Sequence, residues 1–258
     1  MKSIVLPTVA LLVSYWGLTS APAVNKAPAG PVEARALLDQ VKLQMRAQSY
    51  EAAAKSLNLL LASEPDNHVY LRMLAEAQHE QKHFEEEAKA WERFIETAPL
   101  PEEACPQYGK AYRELGRNDE TRKAFQKCFD LDPTNPDSIL FLALSEERAG
   151  NYSHAAELYT AGVKSSPGYM DLRIGLARSQ MQLGKYEPAI AAFDLVIRNY
   201  PKSGEVPDAY VRKGTALKTL RQSDAAREAF EFVIKNYADS VAATVAQQRL
   251  QELLSQKP

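Results

Sequence analysis

The stretch YEAAAKSLNLLLASEP (residues 50–65) returns in altered form four times: FEEEAKAWERFIETAP (84–99), NDETRKAFQKCFDLDP (118–133), YSHAAELYTAGVKSSP (152–167) and YEPAIAAFDLVIRNYP (186–201). The closing prolines, Pro65, Pro99, Pro133, Pro167 and Pro201, stand 34 residues apart each time. A sixth copy, SDAAREAFEFVIKNYA (223–238), comes three residues late and carries Ala238 in the proline slot. In most copies a small residue follows the opening one by three. An aromatic or Leu follows by seven and an apolar residue by ten. These are spacings along one face of a helix. Proline cannot continue a helix, so each copy ends there.

A second amphipathic stretch precedes each opener, as in Leu71/Leu74/Ala75, Tyr108/Gly109/Tyr112, Ile139/Leu142/Ala143 and Tyr210/Gly214/Leu217. Gly116, Gly150 and Gly184 separate the two stretches, where one helix must end and the chain reverse. The unit is therefore helix A, tight turn, helix B, proline stop. Small residues fall where the paired helices should cross: Gly109 with Thr121, Ala143 with Ala155, Ala177 with Ala189, and Gly214 with Ala226. Such crossings let two backbones approach closely.

The 34-residue period, the small residues at the crossing and the closing proline resemble the tetratricopeptide repeat (TPR) family. The resemblance covers nearly all of the chain after residue 33. It implies an all-α fold: a right-handed superhelical solenoid of about six helix pairs plus a capping helix. The repeats fall at 34–67, 68–101, 102–135, 136–169, 170–203 and 207–238, followed by a cap and tail at 239–258. The cap shows an apolar stripe of Val241, Val245, Leu250 and Leu253, as a solenoid end requires. Two departures stand out. Glu87 fills a slot that is usually Ala, and Gln48, Lys82 and Arg221 replace the turn glycine, where looser turns are expected. The phrases NYPKSGEVPDAYVRKG (199–214) and NYADSVAATVAQQRL (236–250) further resemble the TPR domains of periplasmic Tol–Pal-associated proteins. That type carries an N-terminal trimerising coiled coil. Only about ten linker residues precede the first repeat here, so trimerisation is not carried over.

The N-terminus differs from the rest. Lys2, the uncharged and mostly apolar run Ile4–Leu18, and Ala21-Pro-Ala23 have the layout of a signal peptide over 1–23. A Pro/Ala linker follows at 24–33. The expected location is periplasmic or secreted, with an uncleaved anchor facing the periplasm as the alternative. The run is short for a membrane span, and contact with a membrane is expected only through this segment.

The chain of 258 residues is 45% apolar and 25% charged, with a net charge of −2. That balance offers no electrostatic footprint for nucleic acid. Residues 79–83, HEQKH, match the His-Glu-x-x-His pattern of zinc peptidases. That chemistry needs both histidines on one unbroken helix. Here the repeat register ends helix A near His79–Gln81 and leaves His83 in the turn, with Lys82 on the glycine slot. A metallopeptidase is thus a minor alternative. His68 and His154 are isolated at helix starts, and no Gly-x-Ser-x-Gly elbow or phosphate-binding loop occurs. The reading is non-catalytic, with no cofactor, metal or small-molecule substrate.

Cys105 and Cys128 lie on helices A and B of one repeat. The pairing of Gly109 with Thr121 puts residue 105 opposite about 125, so Cys128 is expected roughly a turn off register. They form either a disulfide, as export favours, or two buried thiols that pack as small apolar groups.

In the TPR family a second stripe of each helix A lines a concave groove that binds peptides or helices. By register it holds Arg72, Glu76 and His79, then Lys110 and Arg113, then Leu140, Leu144 and Glu147. Ile174, Arg178 and Met181 follow, with Val211 and Lys218 last. An apolar patch rimmed by Lys and Arg suggests a protein-binding surface. The alternative is that curvature tucks Leu140, Leu144, Ile174 and Val211 into neighbouring repeats. The Lys/Asn clamp of the chaperone-binding branch is not assembled, since Arg72, Glu76 and Gln107 occupy its slots. The resemblance implies a scaffold that binds a peptide or helical segment of an envelope protein. The alternative is a structural subunit that uses its convex face or edges.

Overall fold

Six times along the chain a helix ends on one residue in the left-handed backbone region and the next helix runs back alongside it. These residues are Gln48, Lys82, Gly116, Gly150, Gly184 and Arg221, all with φ between 56° and 81°. The computed structural model describes residues 26–255. Among them are thirteen α-helices and a 3-10 turn at Pro101–Ala104. The pairs are α1 (Pro31–Arg46) with α2 (Tyr50–Ser63), α3 (His68–Glu80) with α4 (Phe84–Thr97), and α5 (Cys105–Glu114) with α6 (Asn118–Leu131). Then come α7 (Pro136–Arg148) with α8 (Tyr152–Ser165), α9 (Met170–Gln182) with α10 (Tyr186–Asn199), and α11 (Val206–Thr219) with α12 (Ser223–Asn236). The last helix, α13 (Val241–Ser255), closes the array. The fold is the all-α solenoid with a capping helix that the repeat implied. The expected signal peptide at 1–23 lies outside the described residues. No helix among the described residues is long and apolar enough to cross a membrane.

The repeated positions build the core. Seven residues after each opener lie Leu57, Trp91, Phe125, Tyr159, Phe193 and Phe230, all buried. Three after it lie Ala53, Glu87, Thr121, Ala155, Ala189 and Ala226, also buried. Apart from Glu87 these are small residues that let the A and B backbones close up, and the large side chains one turn on fill the space within and between pairs. A Cβ added to Gly109 would stand 2.1 Å from Phe125 Cε1, so the ring occupies the place of a side chain.

Each B helix except α12 ends two residues before its proline, and the residue ahead of the proline has left the helical region, fully extended at Ala98 and at Asp132 with φ −143° and ψ 92°. The sixth copy ends equally well on Tyr237 (φ −135°) without proline, its N–H donating to Val233 O.

The three non-glycine turns differ from expectation. They are not looser. Lys82 N–H bonds His79 O at 2.8 Å and His83 N–H bonds Gln78 O at 2.9 Å. Gly150 and Asn151 make the same pair of bonds to Glu147 and Glu146. The hydrogen-bonded cap holds the shape, and the missing glycine appears as backbone strain instead.

Two further expectations are corrected. The first turn of α1, from Pro31, takes up residues expected as linker; proline suits a first helical position, and Glu33 Oε2 accepts from Ala29 N–H at 2.8 Å. In α13, Val241 is exposed because it opens the helix beyond the end of α12. Ala243 and Ala246 make the buried contact, with Val245, Leu250 and Leu253 packed beside them.

Every helix packs on its chain neighbours. Successive A helices also touch, at α5–α7, α7–α9 and α11–α13, whereas no two successive B helices pack to the same extent. An array whose A layer is the more tightly spaced curves towards that layer. The A helices therefore line the concave side.

Candidate functional site

The concave face is built from the A-helix stripe, and the structure sorts its members into three kinds. Ile174 and Val211 are core residues, only 7% and 5% exposed. They were expected as surface apolar groups, and the inter-repeat packing of α9 and α11 covers them instead. Met181 is half-buried against the core that holds Ile174, Leu140 against the preceding one around Leu142 and Tyr159, and Leu144 is half-buried as well. These three keep an apolar surface on the concave side, around repeats 4 and 5.

The charged members are sorted too. Arg72 is not free: its Nη2 donates to Glu103 Oε2 at 2.5 Å, and its guanidinium lies 5.1 Å from the centre of the Phe94 ring. Arg178, expected as a groove cation, is instead a strut between repeats. It donates to Glu147 Oε2 at 2.7 Å, and Glu147 also accepts from Ser179 Oγ at 2.9 Å and Tyr159 Oη at 3.0 Å. Burial pulls the Arg178 pKa down, but the hydrogen bond to Glu147 and its charge outweigh that and leave it raised. Burial, with Glu147 adding to it, pushes the Tyr159 phenol well above its ordinary range. The sequence put Glu147 on the stripe without seeing this role. The available signal was Tyr159 itself: a tyrosine at a core position needs a partner for its hydroxyl.

Lys110 and Arg113 remain. Lys110 is exposed, with Nζ 5.8 Å from the centre of the Phe141 ring on the next A helix. Arg113 is half-buried and, among the described residues, forms an ion pair only with its neighbour Glu114, at 3.7 Å. Glu76 lies on the same side, where partial burial of its carboxyl raises its pKa and the charge of Arg72 partly restores it. At the far end Lys218 reaches Glu252 of the capping helix at 3.3 Å.

The HEQKH residues are divided between three pieces of structure. His79 and Glu80 end α3, Lys82 is the left-handed turn residue, and His83 is the N-cap of α4. The two rings have different partners. His79 Nδ1 lies 3.0 Å from Glu87 Oε2, and His83 Nδ1 lies 3.1 Å from Gln78 Oε1. Glu87, the departure from the usual Ala, is 3% exposed and also accepts from Trp91 Nε1 at 3.2 Å. His79 thus helps to seat one buried carboxylate, while His83 is engaged with the Gln78 amide. Among the described residues, no group of three His, Cys, Asp or Glu is placed to hold a metal.

Cys105 and Cys128 are joined, with Cα atoms 5.6 Å apart. That separation is within reach of a bridge, against the expectation of a turn's offset. The α5–α6 pair brings residue 105 opposite 128, not 125. The bridge fastens the first residue of α5, which follows the 3-10 turn, to the last turn of α6.

A curved array of helix pairs with side chains presented along its inner layer defines an all-α repeat solenoid. Sequence profiles of the tetratricopeptide repeat match residues 38–100 and 140–204, 103–135 and 208–240. The chain belongs to the tetratricopeptide repeat family, whose members are scaffolds for protein–protein interaction. Among curated proteins it is similar to Hsp70-Hsp90 organizing protein 1 of Glycine max, 28% identical over 105 residues, which are 41% of this chain and 18% of that protein. RNA polymerase II-associated protein 3 of Xenopus tropicalis is 27% identical over 134 residues, 49% of this chain and 20% of that protein. The chain spans about a fifth of the length of the curated relatives it matches. Among solved structures it resembles YrrB, described as a TPR protein with an unusual peptide-binding site, with TM-score 0.61 and 16% identity over 76% of this chain and 100% of that one. It also resembles PilW, described as a widely conserved type IV pilus biogenesis factor, with TM-score 0.56 and 21% identity over 88% of this chain and 100% of that one. At these identities the likeness is one of fold.

Proposed function

We propose that this chain is an exported, non-catalytic scaffold that holds an extended or helical segment of a cell-envelope protein on its concave face, around repeats 3 to 5. One observation carries the reading. Leu140, Leu144 and Met181 keep apolar surface there beside Lys110 and Arg113, while Ile174 and Val211 on the same stripe are covered by their own chain. An apolar shelf with a cationic edge suits a protein ligand. Export is supported by the N-terminal run and its Ala-Pro-Ala site, and by a disulfide of the kind that persists in oxidising compartments. The envelope is further supported by the resemblance of residues 199–250 to Tol–Pal-associated repeat domains. An uncleaved N-terminal anchor gives the same activity from the membrane surface.

The test is site-specific photo-crosslinking in cells, with the photoreactive residue at Leu144 on the concave face or at Thr160 on the outer face of α8. The reading expects a discrete adduct from Leu144 and none from Thr160. An adduct only from Thr160 refutes it.

A second reading, a structural subunit that binds through its outer face, has its own observation. Phe232 is 39% exposed on α12 and lies against Tyr210 at 4.4 Å between ring centres, with Tyr237 at 6.2 Å. The cleft beside it lies between α10, α11 and α12, and Ile190 and Leu217 line it. A crosslink from Phe232 but not from Leu144 selects this alternative.

A further inference from the structure

Glu147 meets Arg178, 31 residues further on, across the boundary of repeats 4 and 5. One 34-residue period earlier the same two positions are Arg113 and Leu144. At the boundary of repeats 4 and 5 the slot holds a carboxylate and a guanidinium that satisfy each other. At the boundary of repeats 3 and 4 it holds a guanidinium and a leucine. Arg113 thus lacks the carboxylate that Arg178 finds in Glu147, and among the described residues it pairs only with Glu114, at 3.7 Å. One turn earlier, Lys110 forms no ion pair among the described residues and rests over the Phe141 ring. Two cations on one stripe therefore border the apolar shelf of Leu140 and Leu144 without an internal counter-charge across the boundary.

We propose, resting on the concave-face reading above, that the segment held at repeats 3 and 4 is acidic and apolar at once. It would be an internal stretch of a partner protein whose Asp or Glu side chains meet Lys110 and Arg113, beside a large aliphatic or aromatic side chain on Leu140 and Leu144. A guanidinium takes a carboxylate through paired N–H donors, and a site already half desolvated strengthens that bond. The chain's own first 30 residues cannot be the occupant, because they contain Lys2 and Lys26 and no Asp or Glu.

The test is a selection of short random peptides displayed on phage against the full chain, followed by anisotropy titrations of the enriched peptides. Each is also made with its Asp and Glu changed to Lys, so one comparison needs no protein variant. The expected result is enrichment of Asp/Glu next to Leu, Phe or Trp, with binding lost in Leu144→Glu. Affinity should weaken about tenfold in Lys110→Glu or Arg113→Glu, and the charge-swapped peptides should bind those variants better than the unchanged protein. Peptides that depend on Leu144 but are indifferent to their own charge and to both substitutions overturn this inference and leave the concave-face reading standing. A selection that returns no Leu144-dependent peptide overturns both.

Discussion

Glu147 and Arg178 pair at 2.7 Å across the boundary between repeats 4 and 5, and the same carboxylate takes the Tyr159 hydroxyl at 3.0 Å. One side chain thus joins α7, α8 and α9. A solenoid's stability depends on the interfaces between neighbouring repeats, and this boundary is tied by polar contacts as well as apolar packing. Glu147→Ala leaves a guanidinium and a buried phenol without their acceptor, and a loss of about 2 kcal/mol is expected. A double-mutant cycle with Arg178→Ala, read by urea unfolding, should return a coupling of the same sign. Additive losses would mean that the pair contributes only packing.

The left-handed turn residues predict stabilising substitutions. Lys82→Gly, Gln48→Gly and Arg221→Gly each relieve a positive φ. The gain is expected to be about 0.5–1 kcal/mol after the entropy that glycine adds to the unfolded chain. Lys82→Gly also tests the HEQKH reading. In a continuous helix glycine would cost about 1 kcal/mol, so a lowered melting temperature would contradict the turn.

Reduction should weaken the third repeat. The bridge closes a separation of 23 residues, for which chain entropy gives on the order of 3 kcal/mol. Dithiothreitol, or Cys105→Ser with Cys128→Ser, should speed hydrogen exchange in α5 and α6 first. Unchanged protection there would show that packing alone fixes this pair.

Glu76 supplies a pH dependence with a definite sign. Burial raises its pKa above the ordinary 4.5. The folded protein therefore holds this proton to higher pH than the unfolded chain does. The stabilising effect of the bound proton is full below 4.5 and lost as pH rises through the folded value. Glu76→Gln should raise the melting temperature at pH 7 and leave it nearly unchanged at pH 4. An equal effect at both would remove the electrostatic account.

Most of the fold was legible because it rests on repeated residues at a fixed period. Pro65 to Pro201 set the frame, and Leu57 through Phe230 mark the core in each copy. What was not legible depends on helix curvature and on side-chain reach between repeats. Ile174 and Leu140 occupy equivalent positions, yet one is buried and the other half-exposed, because their burial is decided by the neighbouring repeat. Cys105 and Cys128 depend on a shift of about one turn in how α5 lies on α6, and no period reports that. Arg178 reads like a free cation until Glu147, 31 residues away, is placed beside it.

The most direct test of the central claim compares how much of one partner is captured from an envelope extract by three proteins, each first confirmed to be folded. They are the unchanged chain, Leu144→Glu on the concave face, and Glu157→Lys on the outer face of α8. Ile174 is unsuitable for such a change because it is core. The account predicts that capture persists with Glu157→Lys and is lost with Leu144→Glu. Equal capture by Leu144→Glu, or loss with Glu157→Lys alone, would contradict it.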